Sequence, residues 1–303
     1  MTATNPLTHP SEPPPGGTAK LAERTVARIG FGVMQLERST AGRDALLALL
    51  RQAVHHGVNH IDTAQFYGAG VCNGLIREAL SPYPDDLVLV SKVGADNATD
   101  GALIAAQRPE QLRAQIEANL ATLGAERLDV VNLRRADAPP GLIAEGDQKV
   151  DLDSQLGELT ALRDAGKIGG IGLSNVSADQ LRQALPVGVA CVQNAYSVLD
   201  RSTEPVLALC REHGIAWVPF FPLGSAFPGL PKATDDPTVV AIAGDLAATP
   251  AQVALAWLLA HYEHTLLIPG TSHRSHLAEN IASGGLRLPP EAVMALERLA
   301  ADS

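Results

Sequence analysis

The sequence is poor in cysteine and in clustered positive charge, and each shortage excludes a class of protein. Its three cysteines, Cys72, Cys191 and Cys210, are odd in number and show no paired spacing. This pattern argues against a disulfide framework or a zinc site and favours free thiols in a reducing compartment. The net charge is −10 and no segment concentrates Lys and Arg, so nucleic acid is not an expected partner.

Long hydrophobic runs are also missing. No apolar stretch reaches the roughly 20 residues that a membrane-spanning helix needs. The N-terminus lacks the basic and apolar regions of a signal peptide. We therefore expect a cytoplasmic protein with no membrane partner.

The first 20 residues differ in composition from the rest of the chain. They contain Pro10, three consecutive prolines at 13–15 and two glycines. Such a segment has too few large apolar groups to offset the entropy that ordering it would cost. The composition predicts a disordered, proline-rich tail over 1–20 and one domain over 21–303, because no internal boundary divides the remainder.

From Ile29 onward, short aliphatic runs alternate with longer segments of helical periodicity, which is typical of a parallel sheet built from βα units. Eight runs are predicted strands: Ile29–Gln35, Val58–Asp62, Leu87–Lys92, Leu128–Leu133, Ile168–Leu173, Val189–Gln193, Ile215–Phe220 and Thr265–Ile268. The count predicts an α/β fold of the (β/α)8 TIM-barrel type in a single domain, with one more helix at Pro289–Ala301. In such a barrel the reactive groups lie at the C-terminal ends of the strands and in the loops that follow. Three long loops are expected to form the substrate rim, at Val93–Arg108, Arg134–Val150 and Phe221–Ala248.

Ionisable residues end the second and third predicted strands. Asp62 ends one strand, Tyr67 follows five residues later in the loop, and Lys92 ends the next strand. An ammonium group in that position needs a counter-ion to offset its desolvation, and Asp62 supplies one. His60 shares a face of its strand with Asp62 and is expected to be a hydrogen-bonded core histidine.

These residues resemble the signature of the aldo-keto reductase family, which combines Asp-Thr-Ala at 62–64, Tyr-Gly at 67–68 and a strand-terminal Lys at 92. The resemblance covers nearly the whole chain after the tail and implies an NADP-dependent oxidoreductase that reduces an aldehyde or ketone to an alcohol. It continues, in family order, through Ser174-Asn175, Gln193-Asn194-Ala195-Tyr196, Phe221-Pro222-Leu223-Gly224, Pro269-Gly270-Thr271 and Glu279-Asn280.

The resemblance assigns Tyr67 as the general acid that protonates the carbonyl oxygen when a hydride reaches the carbonyl carbon. A phenol with the usual pKa of about 10 is too weak for this unless its conjugate base is stabilised. Lys92 is expected to lower the pKa of Tyr67, and Asp62 is expected to keep Lys92 charged and oriented.

One position departs from the family pattern. Where the family usually has a His at the end of the fourth strand, this chain has Arg134. Arginine stays charged and offers several donors, so Arg134 is expected to orient a carbonyl or to bind an anionic group. The alternative is a surface ion pair with Asp137, because only one of Arg134 and Arg135 points into the barrel mouth. The Asn132-Leu133-Arg134 pattern resembles bacterial family members proposed to reduce pyridoxal, which makes pyridoxal a substrate hypothesis.

The resemblance also implies cofactor contacts. Ser174, Asn175 and Gln193 would bind the nicotinamide carboxamide, and Tyr196 would stack on the ring. At the adenosine end, Thr271 would lie near the ribose phosphate, with Glu279 and Asn280 near adenine. The other expected contacts are Gly32, Phe220, Pro222, Leu223, Pro269, Gly270, Arg274 and His276. The family often has Lys or Arg at the positions of Gly270 and His276, and Arg274 and His273 are expected to compensate, so NADP is the expected cofactor.

Two other function classes remain open. A sensor or regulatory subunit of the same fold would bind the cofactor but turn over slowly, and the replaced histidine motivates that hypothesis. A lyase using Lys92 as a Schiff base would leave Ser174, Asn175 and Gln193 unexplained. The expected partner is a small carbonyl compound, and the expected assembly is a monomer or a weak oligomer.

Overall fold

The computed structural model describes residues 13–139, 141–224 and 231–299. Within these ranges the chain forms eleven β-strands and ten α-helices. The strands are β1 Thr18–Leu21, β2 Arg24–Ala27, β3 Phe31–Gly32, β4 His60–Asp62, β5 Val88–Val93, β6 Ala95–Asn97, β7 Leu103–Ala105, β8 Leu128–Arg134, β9 Ile168–Ser174, β10 Val189–Gln193 and β11 Ala216–Trp217. The helices are α1 Arg43–His55, α2 Val71–Leu80, α3 Pro109–Leu123, α4 Leu152–Asp164, α5 Ala178–Ala184, α6 Glu204–His213, α7 Pro237–Asp245, α8 Pro250–His261, α9 Arg274–Ala282 and α10 Pro290–Arg298.

Seven parallel strands form the central sheet, in the order β11, β10, β9, β8, β5, β4 and β3. The segment 265–267 joins the two edges of this sheet. Thr265 pairs with Trp217 at one edge and Leu267 pairs with Ile29 at the other, both in parallel. Backbone hydrogen bonds of 2.7 to 3.1 Å accompany these pairings. The sheet therefore closes into the single (β/α)8 barrel that the sequence predicted, with 265–267 in the place of the eighth strand.

Four of the eight predicted strands are shorter than expected, and the second keeps only His60–Asp62. The first keeps only Phe31–Gly32, because the chain turns into a 3-10 helix at Met34–Leu36. The seventh keeps only Ala216–Trp217, and the eighth is reduced to bridges. Prolines explain part of the shortening, because Pro219 and Pro269 lack the backbone N–H that a ladder requires.

The barrel wall separates two apolar layers. Val88 and Val90 of β5 point into the barrel and pack with Val130, Cys191 and Leu266. The residues between them, such as Leu89, face outward and pack under the helices. Because both faces of the parallel strands are covered, these strands read as continuous apolar runs. On the inward face of β5 the next residue after Val90 is Lys92, which places its side chain at the C-terminal end of the barrel.

An antiparallel hairpin of β1 and β2 closes the other end of the barrel. Leu21 and Val26 belong to the interior cluster, and Ala22 lies against Gly170 near the start of β9. The predicted tail boundary at residue 20 is therefore wrong, since ordered structure includes β1 and a backbone hydrogen bond from Gly17 to Pro14 of 2.9 Å. Burial of a few apolar residues inside the barrel supplies the stabilisation that composition alone did not indicate. The part of the tail at 1–12 lies outside the described residues.

The long connections have some structure of their own. The loop after β5 contains the hairpin of β6 and β7. The loop predicted over Phe221–Ala248 contains α7, whose start is capped by Asp236 through hydrogen bonds from the backbone N–H groups of Thr238 and Val239. The extra C-terminal helix predicted at Pro289–Ala301 is present as α10 over Pro290–Arg298, and residues 300 and 301 lie outside the described residues.

The helices were also compared with the requirements of a membrane span. In the described part of the chain, no single helix is both long and apolar enough to cross a membrane. Helices α7 and α8 meet that criterion only as a pair, and a bend of 93° separates them.

The first strand and the last segment of the barrel approach each other closely at two glycines. A Cβ atom on Gly32 would lie 2.5 Å from the carbonyl oxygen of Ile268, and a Cβ on Gly270 would lie 2.5 Å from the carbonyl oxygen of Gly32. Backbone atoms cannot move aside as a side-chain end can, so this seam excludes larger residues.

We expect Gly32→Ala to destabilise the fold by ~1–3 kcal/mol, the usual cost of overpacking. The matched control is Gly157→Ala in α4, where an added Cβ meets nothing within 4 Å. That substitution should stabilise the protein by about 0.5–1 kcal/mol, because alanine is the better helix former. Urea unfolding midpoints measure both variants, and equal midpoints would contradict the close-packed seam.

Candidate active site

The polar residues at the C-terminal ends of five adjacent strands lie side by side on one rim of the barrel. The register pairs Asp62 with Val90, two residues before Lys92, and pairs Arg134 with Ser174 and Ser174 with Gln193. We call this set of strand ends the rim. The C-terminal ends of parallel strands lie at the same end of a barrel, so residues that are distant in sequence become neighbours there.

Asp62 and Lys92 form a buried ion pair on this rim. The Lys92 ammonium donates to Asp62 Oδ1 and to the carbonyl oxygen of Thr63 at 3.2 Å. Gln193 Nε2 donates to the second carboxylate oxygen, Asp62 Oδ2, at 2.8 Å. Lys92 is 8% exposed and Asp62 is 2% exposed, so each charge depends on the other for compensation. The predicted counter-ion relationship is thus present in the geometry.

Tyr67 lies over this ion pair, with the Lys92 ammonium 5.1 Å from the centre of its ring. The chain leaves this position through a turn in which Gly68, Ala69 and Gly70 all have positive φ, at 61°, 50° and 91°. Ala69 is the strained member, because left-handed backbone conformations are costly for residues with a Cβ. Helix α2 begins directly after the turn and fixes its far end.

The pKa of Tyr67 is raised above its ordinary value, because burial disfavours the phenolate. The positive charges of Lys92 and Arg134 lower the pKa in part, while Asp62 raises it further. Burial also acts to lower the pKa of Lys92, but Asp62 and Tyr67 outweigh burial and leave that pKa raised. The expected influence of Lys92 on Tyr67 therefore exists, although it does not overcome burial.

The two arginines that end β8 point to different places. Arg135 donates from Nε and Nη2 to Asp137 at 2.7 and 2.9 Å and is buried. Arg134 is half-buried, and its charge acts on Tyr67. The ion pair with Asp137 belongs to Arg135, so the alternative considered for Arg134 is wrong.

The residues predicted to bind a nicotinamide carboxamide lie beside the ion pair. Ser174 and Gln193 are buried neighbours on adjacent strands. Gln193 Oε1 is buried and accepts no hydrogen bond within the described residues. Asn175 has a φ of 58° and donates through Nδ2 to the carbonyl oxygen of Ala138 at 2.7 Å. The Asn175 side-chain amide therefore binds the loop that follows β8, although the residue itself is next to Ser174.

Tyr196 does not face the rim, so its predicted role in stacking on the nicotinamide is wrong. Its ring is 1% exposed, and it is parallel to Trp257 at 6.1 Å and edge-on to Trp217 at 5.7 Å. Its hydroxyl contacts Glu204 and His261. These neighbours belong to the layer between sheet and helices, and no face of the ring is free for a ligand.

Other predicted contacts surround the rim. Phe220 is half-buried after β11 and packs edge-on to Phe221 at 5.1 Å, and Pro222 and Leu223 follow as half-buried residues. On the opposite side, Gly32 is in register with Asp62. Because Gly270 packs against Gly32, this contact brings the end of the last barrel segment next to the ion pair.

The segment after Gly270 turns into α9, with the predicted adenosine-end residues around its start. Pro269 and Thr271 are buried, and Thr271 Oγ1 accepts from the backbone N–H of His273 at 3.0 Å. Arg274 and His276 are exposed on the first turn. Farther along α9, the half-buried Glu279 accepts through its carbonyl oxygen from Gln252 at 3.2 Å, and Asn280 is buried.

A family profile decides the family of this chain. The profile described as the aldo/keto reductase family matches residues 28–301, which contain the whole barrel wall and every rim residue. The chain belongs to the aldo/keto reductase family.

Individual aldo/keto reductase relatives are similar over almost the full chain. Pyridoxine 4-dehydrogenase of Escherichia coli (strain K12) is 40% identical over 286 residues, which cover 92% of this chain and 97% of the relative. An uncharacterized oxidoreductase of Schizosaccharomyces pombe is 32% identical, covering 93% and 89%. Among solved structures, an aldo-keto reductase from Klebsiella pneumoniae in complex with NADPH superimposes with a TM-score of 0.77 at 25% identity, covering 93% and 94%.

The aldo/keto reductase signature did not indicate a second polar layer below the ion pair. His60, Asn132 and Cys191 are buried inside the barrel, and Asn132 Oδ1 accepts from Cys191 Sγ at 3.3 Å. A small internal cavity lies against His60, Asp62 and Gln193. The sequence feature that could have indicated this layer is Asn132, a polar residue two positions before Arg134 in the otherwise apolar inward face of β8.

His60 is buried as expected but is not the hydrogen-bonded histidine that was predicted. Neither of its ring nitrogens has a hydrogen-bond partner of good geometry among the described residues. Burial lowers the pKa of His60 to about 4, and the backbone of Ala27 opposes this shift only in part. The imidazole is therefore neutral in the folded protein near neutral pH.

The unfolded chain takes up the His60 proton at a higher pH than the folded chain does, so acid should destabilise the fold through this residue. As pH falls from the ordinary pKa of 6.5 toward 4, wild type should lose about 3 kcal/mol more stability than His60→Leu. Urea unfolding at several pH values measures the difference. His55→Leu, at an exposed position on α1, should keep the wild-type pH dependence, and a His60→Leu profile that also matches wild type would contradict the burial argument.

Proposed function

We propose that this aldo/keto reductase is an NADP-dependent enzyme that reduces an aldehyde or ketone to an alcohol, with Tyr67 as the general acid. The observation that carries the proposal is the arrangement of Lys92, bonded to Asp62 and 5.1 Å from the ring centre of Tyr67. This arrangement supports the proposal because a phenol would then lie beside a charge that stabilises its conjugate base.

Each residue of the triad has a distinct task. Bound NADPH supplies the hydride. Tyr67, kept protonated by its raised pKa, donates the phenolic proton to the carbonyl oxygen as negative charge develops there. Lys92 stabilises the phenolate that remains, and Asp62 and Gln193 keep Lys92 in place through the two carboxylate oxygens.

The residues around the rim fit the nicotinamide end of the cofactor. The unpaired Gln193 Oε1 is an acceptor for a carboxamide N–H, and Ser174 lies next to it on β9. Phe220 replaces Tyr196 as the candidate for stacking on the ring, because it is half-buried at the rim whereas Tyr196 is covered. Asn175 contributes mainly by holding the loop at Ala138.

The start of α9 fits the phosphate end. A helix N-terminus presents unpaired backbone N–H groups and a positive dipole end to an anion. Thr271, His273 and Arg274 lie there, and Arg274 and His273 are exposed. These groups support the choice of NADP over NAD, together with the NADPH present in the Klebsiella relative. Gly32, Pro222, Leu223, Pro269, Gly270, His276, Glu279 and Asn280 complete the proposed cofactor contacts.

Pyridoxal is the proposed physiological carbonyl. The Escherichia coli relative is named for the oxidation of pyridoxine at position 4, and the reverse of that reaction reduces the aldehyde of pyridoxal. The sensor hypothesis keeps one observation in its favour, which is the arginine in place of the usual histidine.

A single-turnover measurement separates a reductase from a slow sensor. Enzyme with one equivalent of NADPH should lose the absorbance of the reduced nicotinamide within seconds when pyridoxal or nitrobenzaldehyde is added in excess. Persistence of the absorbance for hours would favour the sensor. A parallel measurement with NADH tests the cofactor preference, and equal turnover of pyridoxal and nitrobenzaldehyde would remove pyridoxal as the preferred substrate.

We expect Tyr67→Phe to lower kcat by about 10²–10⁴, the usual contribution of a positioned acid, while NADPH affinity stays nearly unchanged. The control is Tyr83→Phe, since Tyr83 donates its hydroxyl to the carbonyl oxygen of Leu123 and lies outside the proposed site. Steady-state kinetics and fluorescence titration with NADPH give the two readouts. Wild-type turnover by Tyr67→Phe would refute the acid assignment.

A further inference from the structure

Arg134 leaves one positive charge of the rim unmatched. Asp62 is paired with Lys92, and Asp137 is paired with Arg135. Arg134 has no ion pair with a carboxylate anywhere in the ranges that the structure describes. A half-buried guanidinium cannot lose its proton to relieve the cost of desolvation. Burial lowers the pKa of Arg134, and the phenol of Tyr67 opposes this shift only in part.

The guanidinium faces the same space as the proposed acid. Arg134 shares the inward face of β8 with Asn132, which is in register with Lys92. Its charge is close enough to lower the pKa of Tyr67. Gly141 makes room for it, because a Cβ there would lie 2.5 Å from Arg134 Nη2. The backbone of Arg134 is fixed by Gln107, which donates to its carbonyl oxygen at 2.8 Å.

An anionic group on the substrate would complete this charge balance. A fixed guanidinium binds an ionised oxygen more strongly than a neutral one, because the hydrogen bond is then charge-assisted. Because Arg134 lies close enough to Tyr67 to lower its pKa, a substrate whose carbonyl oxygen contacts the Tyr67 hydroxyl would bring the group beside its carbonyl toward Arg134. Pyridoxal carries a hydroxyl on the ring carbon next to the one that bears its aldehyde.

We propose that Arg134 selects carbonyl substrates that carry an anionic oxygen beside the carbonyl group, either an ionised ortho-hydroxyl or the carboxylate of a 2-oxo acid. This inference rests on the proposed reductase function and adds a substrate class to it. The histidine usual in the family would offer no permanent charge for this purpose. Arg134 is thus a specificity-determining residue in this chain.

The test compares paired substrates in steady-state kinetics with NADPH, where one member can carry the negative charge and a methyl group blocks that charge in the other. The first pair is 2-hydroxybenzaldehyde and 2-methoxybenzaldehyde, measured above and below the pKa of the hydroxyl, and 4-hydroxybenzaldehyde moves the charge away from the carbonyl. The second pair is phenylglyoxylate and its methyl ester. The first pair reports an ortho-hydroxyl source and the second a carboxylate source of the same anionic oxygen.

In wild type we expect kcat/KM for the anionic member of at least one pair to exceed that of its neutral partner by about tenfold or more, a ratio of the size that one hydrogen bond to a charged group provides. Arg134→Met should bring the ratio close to one, and Arg134→Lys should leave an intermediate value, since lysine keeps the charge but not the planar fork. The control Arg182→Met removes a surface arginine that pairs with Asp179 and should keep the wild-type ratio.

A second readout detects the loss of charge directly. Three charged groups act on Tyr67, namely Lys92, Asp62 and Arg134. Arg134→Met removes one that lowers its pKa, so the fall of kcat at alkaline pH should move to higher pH for a neutral aldehyde. A purely structural role for Arg134 would not produce this shift.

The outcomes separate the two proposals. Reduction of benzaldehyde and its relatives without any preference for an anionic partner would overturn the role of Arg134 and leave the reductase function standing. An unchanged ratio in Arg134→Met, with NADPH binding intact by fluorescence, would overturn it as well. Failure of every aldehyde to oxidise NADPH in wild type would overturn both. If Arg134→Met does not fold, the ratio in Arg134→Lys decides the matter by the same criterion.

Discussion

The buried ion pair between Lys92 and Asp62 is the interaction on which the rim depends. Two charges removed from water are tolerated only when each is compensated, and here the ammonium also donates to the Thr63 carbonyl while Gln193 occupies the second carboxylate oxygen. Side chains from three strands are thereby tied to one another. Because the carboxylate has no freedom to turn away, the ammonium stays beneath Tyr67, and the loop that carries the phenol needs only to bring it to a point already fixed by the barrel.

The sequence predicted this centre well because it depends on the simplest periodicity in the chain. Each member of the ion pair ends an apolar strand, and parallel strands end on the same rim, so Asp62 and Lys92 could be placed together without knowledge of the loops. The assignment of Arg134 was harder. Arg134 shares the inward face of β8 with Asn132, but the partner of Asp137 depends on how the following loop folds. Arg135 donates to Asp137 and to the carbonyl oxygen of Val150, and no local pattern records these contacts.

Two predictions were wrong for reasons of the same kind. A motif fixed the place of Tyr196 along the chain but not the direction of its ring, which is decided by Trp217 and Trp257, residues distant in sequence. The tail boundary was set by average composition, although Ala19, Leu21 and Val26 of the hairpin are buried in the interior of the barrel. In both cases the deciding contacts are tertiary. His60 is a different case. Its burial was predicted correctly, but the prediction gave it hydrogen-bond partners, and neither ring nitrogen has one among the described residues.

The hairpin of β1 and β2 limits the direction from which ligands can reach the ion pair. Since it fills the end of the barrel opposite the rim, the hairpin blocks approach to the ion pair from that end, and molecules approach from the side of the rim. When two reactants approach from the same side, the one whose binding groups lie deeper binds first and leaves last. The sequence of arrivals would then be imposed by the architecture of the barrel itself, independently of how tightly either molecule is held.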